Sequence, residues 1–491
     1  MIQSSMIVKK IARFIPVLAF ITIQVSLSEE FREFTGSNGA KIDATILKIE
    51  NGAVDIKMRN GKQYTLPLSK FSAADQEYLK NWSSVGTSAN QDWHQWRGPD
   101  RDGKSAETGL KDNWESPPEL AWRSSGLGKG FSSLVILGER FFTLGNKGGQ
   151  THIICGKLED GSEVWSTPFG SGGDPTCTPT VDPDSGFVYG LTNKGGGTLA
   201  CVNSDGALVW QKNYENDFEG KMMSQWGYSE SPLIDGDHLI CTPGGDSALL
   251  AALNKGTGET IWSTKASDRS LGTAGKAGAG YGSVVISKGG GIKQYIQLTG
   301  RGLVSVAADD GRLLWNYNRI ANGTANVPTP IISGDYVFGS SGYRDGGSAL
   351  LKLSKSGSKG VSAREEYYKE SKELQNHHGG MILVGEHLYL GHGHNNGFPA
   401  CIELESGKTT WEISRGPGSG SAAITYADGH LYFRYENHVM ALFKANPEQL
   451  ELKGSFQIGS SNNKSWPHPV IHKGKLYLRD QDELLCYKIS K

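Results

Sequence analysis

The sequence predicts an all-β fold made of repeated sheets, because one short motif recurs at regular intervals. A glycine followed four positions later by a tryptophan occurs at Gly161–Trp165, Gly206–Trp210, Gly258–Trp262, Gly311–Trp315 and Gly407–Trp411. The tryptophans are 45, 52, 53 and 96 residues apart, and the last interval fits two periods with one degraded copy. A period of about 20–50 residues is the signature of a repeat architecture.

The unit around each tryptophan is predicted to be four short strands. In the third copy, apolar segments at 231–234, 238–241, 249–253 and 259–262 are separated by turn residues such as Asp235-Gly236-Asp237, with no amphipathic helix between them. Four antiparallel strands per unit, repeated radially, form the blade of a β-propeller. The tryptophan can pack between neighbouring blades, and the glycine allows a tight turn before it.

The spacing favours eight blades, with seven as the alternative. First strands are expected to begin near eight residues: Ser133, Thr178, Ser231, Ser283, Thr329, Gly380, Ala422 and His468. Outer strands are expected at the repeat tryptophans and, in weaker copies, near Tyr367 and Phe456. The last copy holds only three strands before Lys491. We therefore expect the segment 118–123, with Trp122, to supply its fourth strand and close the ring, so that the propeller (residues 96–491) leaves no open sheet edge.

The first 28 residues are typical of a signal peptide. Lys9, Lys10 and Arg13 precede the apolar run Ile15–Leu27, and small residues end at Ser28. We expect export to the periplasm or cell surface, with an uncleaved anchor as the alternative. The net charge of −1 becomes −4 when the three cations are removed, so composition does not indicate nucleic acid as a partner.

Residues 29–82 predict a separate SH3-like β-barrel, joined to the propeller by a linker at 83–95. Three Asn-Gly pairs, the strongest short hairpin signal, divide this segment. Val54, Ile56 and Met58 alternate with charged residues, so one strand face is expected to be buried. Ser72 and Asp75 resemble a capping box that opens a short helix.

The six cysteines do not form a predicted disulfide framework. Cys155, Cys201, Cys401 and Cys486 share the third-strand position of different repeats. Equivalent positions in different blades are too far apart for a disulfide, so these residues are expected to be small buried side chains. Only the pair of Cys177 and Cys241, from adjacent units, is left open.

Blade topology predicts one candidate binding rim. The loops before the first strand and after the second strand of every blade lie on the same face, and they are rich in aromatic, histidine and arginine residues. The candidate binding residues are Trp226, Tyr228, Glu230, Tyr343, Asn376, His377, His378, His392, Arg434, Trp466 and His468, with Arg344, His394 and Arg479 from equivalent loops. Two interpretations of the rim are open. In the first, these residues recognise a partner. In the second, they form hydrogen bonds within the protein that stabilise the axis. Trp226 is equally suited to plug the central channel.

The same residues do not indicate catalysis or a metal site. The histidines at 377, 378, 392 and 394 have no carboxylate or cysteine at a recognised ligand spacing. Ser231 and Ser283 do not follow a nucleophile-elbow pattern. The turn Asp100-Arg101-Asp102-Gly103 is expected to be a turn, although its acidic residues also suggest calcium. We predict no catalytic residue.

Two resemblances extend this interpretation. The segments Arg32-Glu33-Phe34-Thr35, Leu66-Pro67-Leu68-Ser69-Lys70-Phe71 and Asp75-Gln76-Glu77-Tyr78-Leu79 resemble the first Sla homology domain (SHD type), a peptide-binding module of a eukaryotic adaptor that recurs in secreted planctomycete-type proteins. The segments Gln95-Trp96-Arg97-Gly98-Pro99, Gly227-Tyr228-Ser229-Glu230-Ser231-Pro232, Asn326-Val327-Pro328-Thr329-Pro330 and Asn376-His377-His378-Gly379-Gly380 resemble the pyrroloquinoline-quinone (PQQ)-like propellers, which include an outer-membrane assembly lipoprotein and quinoprotein dehydrogenases.

The resemblance implies two classes of function. One is a non-enzymatic binding or scaffolding protein of the bacterial envelope, whose partner is a protein or peptide or an envelope glycan. The other is a PQQ-dependent oxidoreductase. The quinoprotein dehydrogenases carry a vicinal cysteine pair, a calcium site and often a haem-binding Cys-x-x-Cys-His, whereas this sequence has no vicinal cysteines and no such haem motif. We therefore favour the binding protein and expect neither PQQ nor calcium.

Overall fold

The chain forms two compact units, residues 1–86 and 87–491. A computed structural model describes residues 32–50, 53–58, 62–82, 92–459 and 463–491. The predicted signal peptide lies outside the described residues, as does most of the predicted linker. Within the described ranges, no helix is long and apolar enough to cross a membrane.

The first unit is a four-stranded antiparallel sheet followed by a helix. The strands pair in chain order: Arg32–Thr35, Lys41–Glu50, Ala53–Met58 and Gln63–Pro67. A 3₁₀ turn at Leu68–Lys70 leads to the helix Ala73–Trp82. The alternation seen in the sequence places Val54 and Ile56 in the core of this unit, which also contains Phe34, Ala44, Phe71 and Leu79.

The helix of the first unit begins at a capping box. The Ser72 hydroxyl accepts a hydrogen bond from the backbone N–H of Asp75 (3.2 Å) and donates one to its carboxylate (3.0 Å). The same carboxylate accepts from the N–H of Thr35 (2.8 Å) and pairs with Arg32 (3.0 Å). Asp75 therefore ties the helix start to the first strand, and its side chain is almost fully buried.

The described part of the second unit contains eight successive sheets, all antiparallel except for one short parallel strand at the edge of the seventh. The first four sheets are formed by Leu134–Leu137, Arg140–Lys147, Gln150–Lys157 and Glu163–Ser171; by Thr180–Val181, Val188–Leu191, Thr198–Val202 and Leu208–Asn213; by Leu233–Asp235, His238–Cys241, Ala251–Asn254 and Thr260–Ser263; and by Val285–Ser287, Gln294–Thr299, Gly302–Ala307 and Leu313–Tyr317.

The remaining sheets follow the same meander. They are formed by Ile331–Ser333, Tyr336–Ser341, Gly347–Ser356 and Gly360–Glu370; by Asn376–Val384, His387–His392 and Phe398–Glu403; by Ala422–Ala427, His430–Tyr435, Val439–Lys444 and Glu451–Gln457, with the short parallel strand Lys104–Ser105; and by Val470–His472, Lys475–Asp480, Glu483–Lys488 and Glu119–Ser124. Short helices lie between sheets at Tyr214–Phe218 and Asp268–Leu271, and between strands of the fourth and sixth sheets at Gly289–Gly291 and His394–Asn396. This is the predicted all-β, propeller-type fold.

The repeat motif joins the first four sheets of the second unit in succession. A Cβ atom on Gly206 would lie 2.7 Å from the ring of Trp165, the tryptophan of the preceding repeat, and Gly258 meets Trp210 at the same distance. Only glycine therefore leaves room for the indole, and both glycines have positive φ. The Trp165 indole N–H in turn donates to the carbonyl of Ser204 in the next sheet (3.1 Å).

One expected outer strand is not formed. The sixth sheet has three strands in the described chain, and near the predicted fourth strand only Thr409 makes an isolated bridge, to Ile402. The residues that follow Trp411 are rich in glycine and contain Pro417, which disfavours an extended ladder. Trp411 is nevertheless buried, and its indole N–H donates to the carbonyl of Asn446 (2.9 Å).

The strand Glu119–Ser124 pairs antiparallel with Glu483–Lys488 near the end of the chain, with Trp122 opposite Cys486. Trp122 thus takes the position in the last sheet that the repeat tryptophans hold in the others. It also lies against Gly161 of the first sheet, as Trp165, Trp210 and Trp262 lie against Gly206, Gly258 and Gly311. The number of blades in the closed ring remains a prediction.

All six cysteines are buried and free. In the third strands of their sheets, Cys155, Cys201 and Cys486 lie opposite Trp165, Trp210 and Trp122. The third-strand position is thus a small residue that faces the outer tryptophan. The open pairing of Cys177 with Cys241 does not occur.

Candidate functional site

A chain of hydrogen bonds joins the starts of five successive inner strands. The backbone N–H of the residue at the start of one inner strand donates to the side-chain hydroxyl of the residue at the start of the next inner strand. The bonds run from Ser133 to Thr178 (3.1 Å), from Thr178 to Ser231 (3.2 Å), from Ser231 to Ser283 (2.9 Å) and from Ser283 to Thr329 (2.9 Å). We call these five residues the hydroxyl belt. It leaves the inner strand starts of sheets one to four without a free N–H toward the axis.

The segment 92–105 crosses the channel that the inner strands surround. The carbonyls of Trp93 and His94 accept from Ile136 and Val181, in the first and second sheets. Tyr426, in the seventh sheet, donates to the carbonyl of Gly103 (2.9 Å). Since the chain is bonded to strands on both sides of the channel, it forms a plug across it.

Two buried arginines fix this plug. Arg101 donates to the carbonyls of Ser231 (2.8 Å) and Pro232 (3.1 Å), at the start of the third sheet. Arg97 donates to the carbonyl of Met381 in the sixth sheet. Burial lowers the pKa of each guanidinium to about 10, so both remain charged at neutral pH. The expected turn at Asp100–Gly103 is part of this plug.

A cavity of about 640 Å³, which we call the funnel, lies at one end of the channel with Trp96 of the plug in its wall. Its volume falls within the range of small-ligand pockets, about 300–1,000 Å³. The lining is rich in rings: Trp96, Phe131, Trp226, Tyr281, Tyr343, His377, His378, His394, Trp466 and His468. The structure therefore brings together six of the eleven candidate residues and the additional His394.

The rings on one side of the funnel form a continuous series. His377 and His378 are stacked with centroids 3.9 Å apart, and His394 lies 4.2 Å from His377. Tyr343 packs edge-on against His377 (5.1 Å), and Trp466 packs edge-on against His378 (4.8 Å). We call these five residues the histidine wall.

The hydrogen bonds of His377 fix its tautomer. Its Nδ1 lies 2.7 Å from the hydroxyl of Ser421, and that hydroxyl donates to the side-chain carbonyl of Asn395 (3.2 Å). Because the single hydroxyl proton is used there, Nδ1–H of His377 must be the donor to Ser421. Its Nε2 is then a bare acceptor, buried and without a hydrogen-bond partner among the described residues.

Three further imidazole nitrogens of the funnel are in the same condition. Nδ1 of His378, of His394 and of His468 is buried and has no partner within the described chain. Burial is the main cause that lowers the pKa of His377 to about 2 and those of His378 and His468 to about 3, and it also lowers the pKa of His394. These imidazoles are therefore neutral at physiological pH, each with one donor and one acceptor nitrogen.

Trp226 also lines the funnel and is half-exposed at 47%. Its ring packs edge-on against Tyr281 at 6.2 Å. The neighbouring backbone is held by Lys194, whose ammonium donates to the carbonyl of Gln225 (2.6 Å). Trp226 thus lines the cavity while the plug, with Trp96, crosses the channel.

The other candidate residues do not line the funnel. Glu230 is buried and accepts from the hydroxyl of Tyr214 (3.0 Å) and the backbone N–H of Thr242 (2.6 Å), and burial raises its pKa. Tyr228 is also buried, and its hydroxyl donates to the carbonyl of Pro243 (3.0 Å). Both side chains therefore form hydrogen bonds within the protein, as expected if the rim residues stabilise the axis.

Asn376, His392 and Arg434 are likewise buried. The Asn376 amide donates to the carbonyl of Gly391 (3.0 Å), and Nδ1 of His392 accepts from the backbone N–H of Gln375 (3.2 Å). The Arg434 guanidinium donates to the hydroxyl of Ser465 (2.7 Å). The two interpretations of the rim therefore divide between residues: some line the cavity, and others hold its walls.

A positional rule accounts for the lining residues that sequence reasoning missed. The residue two positions before each belt residue lines the funnel, namely Phe131, Thr176, Ser229, Tyr281 and Val327. The same offset from the inner strand starts at Gly380 and His468 gives His378 and Trp466. Counting back two positions from each predicted start would have identified Phe131 and Tyr281. Trp96 follows no such register, because it belongs to the plug.

The donor set of the funnel does not fit a calcium or lanthanide ion. Such hard cations take about six to eight oxygen ligands, mostly carboxylates, whereas Asp174 is the one carboxylate among the described lining residues. No group of three or more His, Cys, Asp or Glu in the described chain could hold a metal ion. The His377 and His378 rings are stacked, which directs their nitrogens sideways and not to one point.

The fold and site define a β-propeller with a ring-lined funnel above a crossed channel, and comparison with known proteins places it in a family. The family profile described as PQQ_2, outer membrane protein assembly factor BamB, matches residues 149–413. This is more than half of the chain, which therefore belongs to this family. No curated protein sequence matches the chain.

Solved structures share the fold at low sequence identity. The crystal structure of BamB from Moraxella catarrhalis matches with a TM-score of 0.51 and 13% identity, over 76% of this chain and 100% of that one. A europium-containing methanol dehydrogenase matches with a TM-score of 0.55 and 12% identity, over 79% of this chain and 89% of that one. At these identities the likeness concerns the fold alone.

Proposed function

We propose that this chain is a non-enzymatic binding or scaffolding protein of the bacterial cell envelope, and that the funnel holds its partner, a protein or an envelope glycan. One observation carries the proposal: a cavity lined by four imidazoles, each with one buried nitrogen that has no partner in the described chain, also presents the half-exposed indole of Trp226. Buried polar groups are normally paired, so these incompletely paired imidazoles are suited to a ligand that enters the cavity.

The family supports this class of function, because its description names an assembly factor for outer membrane proteins. Export to the periplasm or cell surface agrees with the apolar N-terminal segment of the sequence. The first unit would add a second contact, since its sequence resembles the SHD-type peptide-binding domain. In this proposal the barrel grips a peptide, and the propeller positions the partner.

Site-specific photo-cross-linking tests the proposal in the native envelope. A benzophenone amino acid in place of Trp226 is expected to cross-link an envelope component. The same probe at Ile261, which is equally exposed (46%) on an outer strand, should not. Equal products from both positions, or none from either, would contradict a binding role for the funnel.

The competing function is a PQQ-dependent oxidoreductase, which the likeness to a methanol dehydrogenase fold favours. Protein refolded with PQQ and calcium or europium separates the two. We expect no stoichiometric quinone absorbance and no dye-linked alcohol oxidation. Quinone retained at one equivalent with turnover would replace our proposal with the oxidoreductase.

A further inference from the structure

The unpartnered nitrogens of the funnel call for a ligand that both donates and accepts hydrogen bonds. With the Ser421 hydroxyl donating to Asn395, Nδ1–H of His377 donates to Ser421 and Nε2 of His377 is an acceptor; this residue is 8% exposed. His378 and His468 each add a buried Nδ1 without a partner in the described residues. A hydroxyl group is both donor and acceptor, so it satisfies either tautomer of a neutral imidazole.

The electrostatics of the funnel favour a neutral ligand. Its histidines stay uncharged at physiological pH. Among the described lining residues, the charged ones are Asp174, Lys194 and Lys464. The charge of Lys464 is balanced by its pair with Glu436 (2.9 Å), and Lys194 and Asp174 together add no net charge to the lining. A phosphate or carboxylate ligand would meet neutral rings where it needs positive charge.

Ring faces line the funnel beyond the histidine wall as well. Trp466 at one end of the wall packs against Phe131 (4.5 Å), Tyr343 at the other end packs against the cluster that contains Tyr281, and Trp226 packs edge-on against Tyr281. Aromatic faces provide flat apolar contact area with polar groups at their edges. Such a site is suited to a ring with apolar C–H faces and hydroxyl groups around its rim.

The same geometry argues against an extended peptide in the funnel. A peptide that adds a strand needs a free sheet edge, but the hydroxyl belt already engages the inner strand starts of sheets one to four. Because the plug crosses the channel, an extended peptide also cannot pass through it. A compact ligand, or the end of a chain, fits this shape.

We propose that the funnel binds a neutral saccharide, with the imidazole nitrogens of the histidine wall and of His468 contacting hydroxyl groups and the indole rings packing against sugar faces. This inference rests on the proposed binding function and names the ligand class of the same site. Trp226 would cover the sugar from the solvent side, since it is the half-exposed aromatic of the lining.

Titration of the purified chain with maltotriose, cellotriose and triacetylchitotriose tests the proposal. Tryptophan fluorescence and saturation-transfer NMR should report saturable binding of at least one of these trisaccharides. A neutral acetylated peptide of glycine, proline and tyrosine is the comparison probe. If only the peptide binds, or if none of the saccharides binds at millimolar concentration, the saccharide proposal is wrong. Cross-linking at Trp226 would still support the proposed function in that case.

The variant His378→Phe separates a ligand contact from a structural role. Phenylalanine keeps the stacking on His377 and the edge-on contact with Trp466 but removes the buried nitrogen. We expect saccharide affinity to fall at least tenfold while the thermal midpoint does not decrease, because the lost atom had no partner. The control His387→Phe lies outside the funnel and should retain binding.

Unchanged saccharide affinity in His378→Phe would contradict the assignment. If that variant does not fold, Trp226→Ala provides the second test, since the exposed indole can be removed without opening the core. Its expected effect is also at least a tenfold loss of affinity, and retained affinity would again overturn the proposal.

Discussion

The two sides of the propeller axis begin their inner strands with different chemistry. On one side, the hydroxyl belt pairs the N–H of each start with the next side chain. On the other, the starts are Gly380, Ala422 and His468, and the histidine wall leaves buried nitrogens without partners in the described chain. The belt has its hydrogen bonds satisfied within the protein, whereas the wall has not.

This difference indicates a division of labour around one cavity. A satisfied network rigidifies the fold, and an unsatisfied buried group costs about 1–3 kcal/mol unless something outside the fold pairs with it. The belt therefore contributes to stability, whereas in our proposal the wall contacts a ligand. Substitutions in the belt are therefore expected to reduce stability and retain ligand binding, whereas substitutions in the wall are expected to reduce ligand binding.

The largest effect is expected from the belt. The double variant Ser231→Ala with Thr329→Val removes the acceptors for the backbone N–H groups of Thr178 and Ser283. With a cost of about 1–3 kcal/mol for each unsatisfied donor, the free energy of unfolding should fall by about 2–6 kcal/mol in urea denaturation. Neither side chain lines the funnel, so ligand binding by the folded fraction should be retained.

An exposed pair of the same chemistry is the control for the belt. Ser354 and Ser362 lie on an outer hairpin with their hydroxyls 3.1 Å apart. Their double replacement by alanine should change the free energy of unfolding by less than about 0.5 kcal/mol. If the belt variant were no less stable than this control, the belt would not be a stabilising network.

An intermediate effect is expected from acidification, and it should come from the histidine wall and from His468. In the folded protein burial lowers the pKa values of His377, His378 and His468, whereas in the unfolded chain they return to about 6.5. The unfolded state thus binds more protons below pH 6.5, and the stability these neutral histidines contribute is lost as the pH falls. Each accounts for about 1.4 kcal/mol per pH unit in that window.

Urea denaturation between pH 7 and pH 5 measures this slope. In His378→Phe the slope should decrease by about 1.4 kcal/mol per pH unit below pH 6.5, because one titrating group is gone. Ser231→Ala, on the belt, should reduce stability and keep the wild-type slope. The same slope in wild type and His378→Phe would show that this imidazole does not remain neutral in the folded state.

The smallest effect on stability is expected at Trp226. The indole is half-exposed, so Trp226→Ala should shift the free energy of unfolding by about 0.5 kcal/mol or less. Thermal denaturation beside Ile261→Ala, an equally exposed aliphatic residue, measures it. A loss of several degrees in Trp226→Ala alone would assign this residue to the fold instead of the binding site.

Much of the fold could be predicted from the sequence because its signals are local and repeated. The Gly-x-x-x-Trp motif marks contacts between neighbouring repeats, as Gly206 on Trp165 illustrates, so its period reports the architecture directly. The predicted starts of inner strands lie within about four residues of the observed ones, since turns and apolar runs define them. The prediction of an outer strand at Trp411 was wrong, because the glycine-rich residues after it do not form a hydrogen-bonded strand pair.

The candidate site could be predicted only in part. The loops that share a rim were identified from topology, and six of the eleven candidate residues line the funnel. Tyr228, Glu230 and Asn376 have the same residue types and loop positions as true lining residues, yet they are buried. Whether a polar side chain faces the cavity or the wall depends on contacts across blades, which no local pattern reports.

The sequence by itself determined the repeat, the strands and the small residue opposite each outer tryptophan, because these follow from contacts within a repeat or between successive ones. Only the tertiary structure decided that residues 92–105 cross the channel, that Trp96 joins the funnel, and that His377 presents a bare acceptor. Those features depend on segments hundreds of residues apart, such as Arg97 and Met381. Their pairing is fixed by closure of the ring, so it has no signature in the order of residues along the chain.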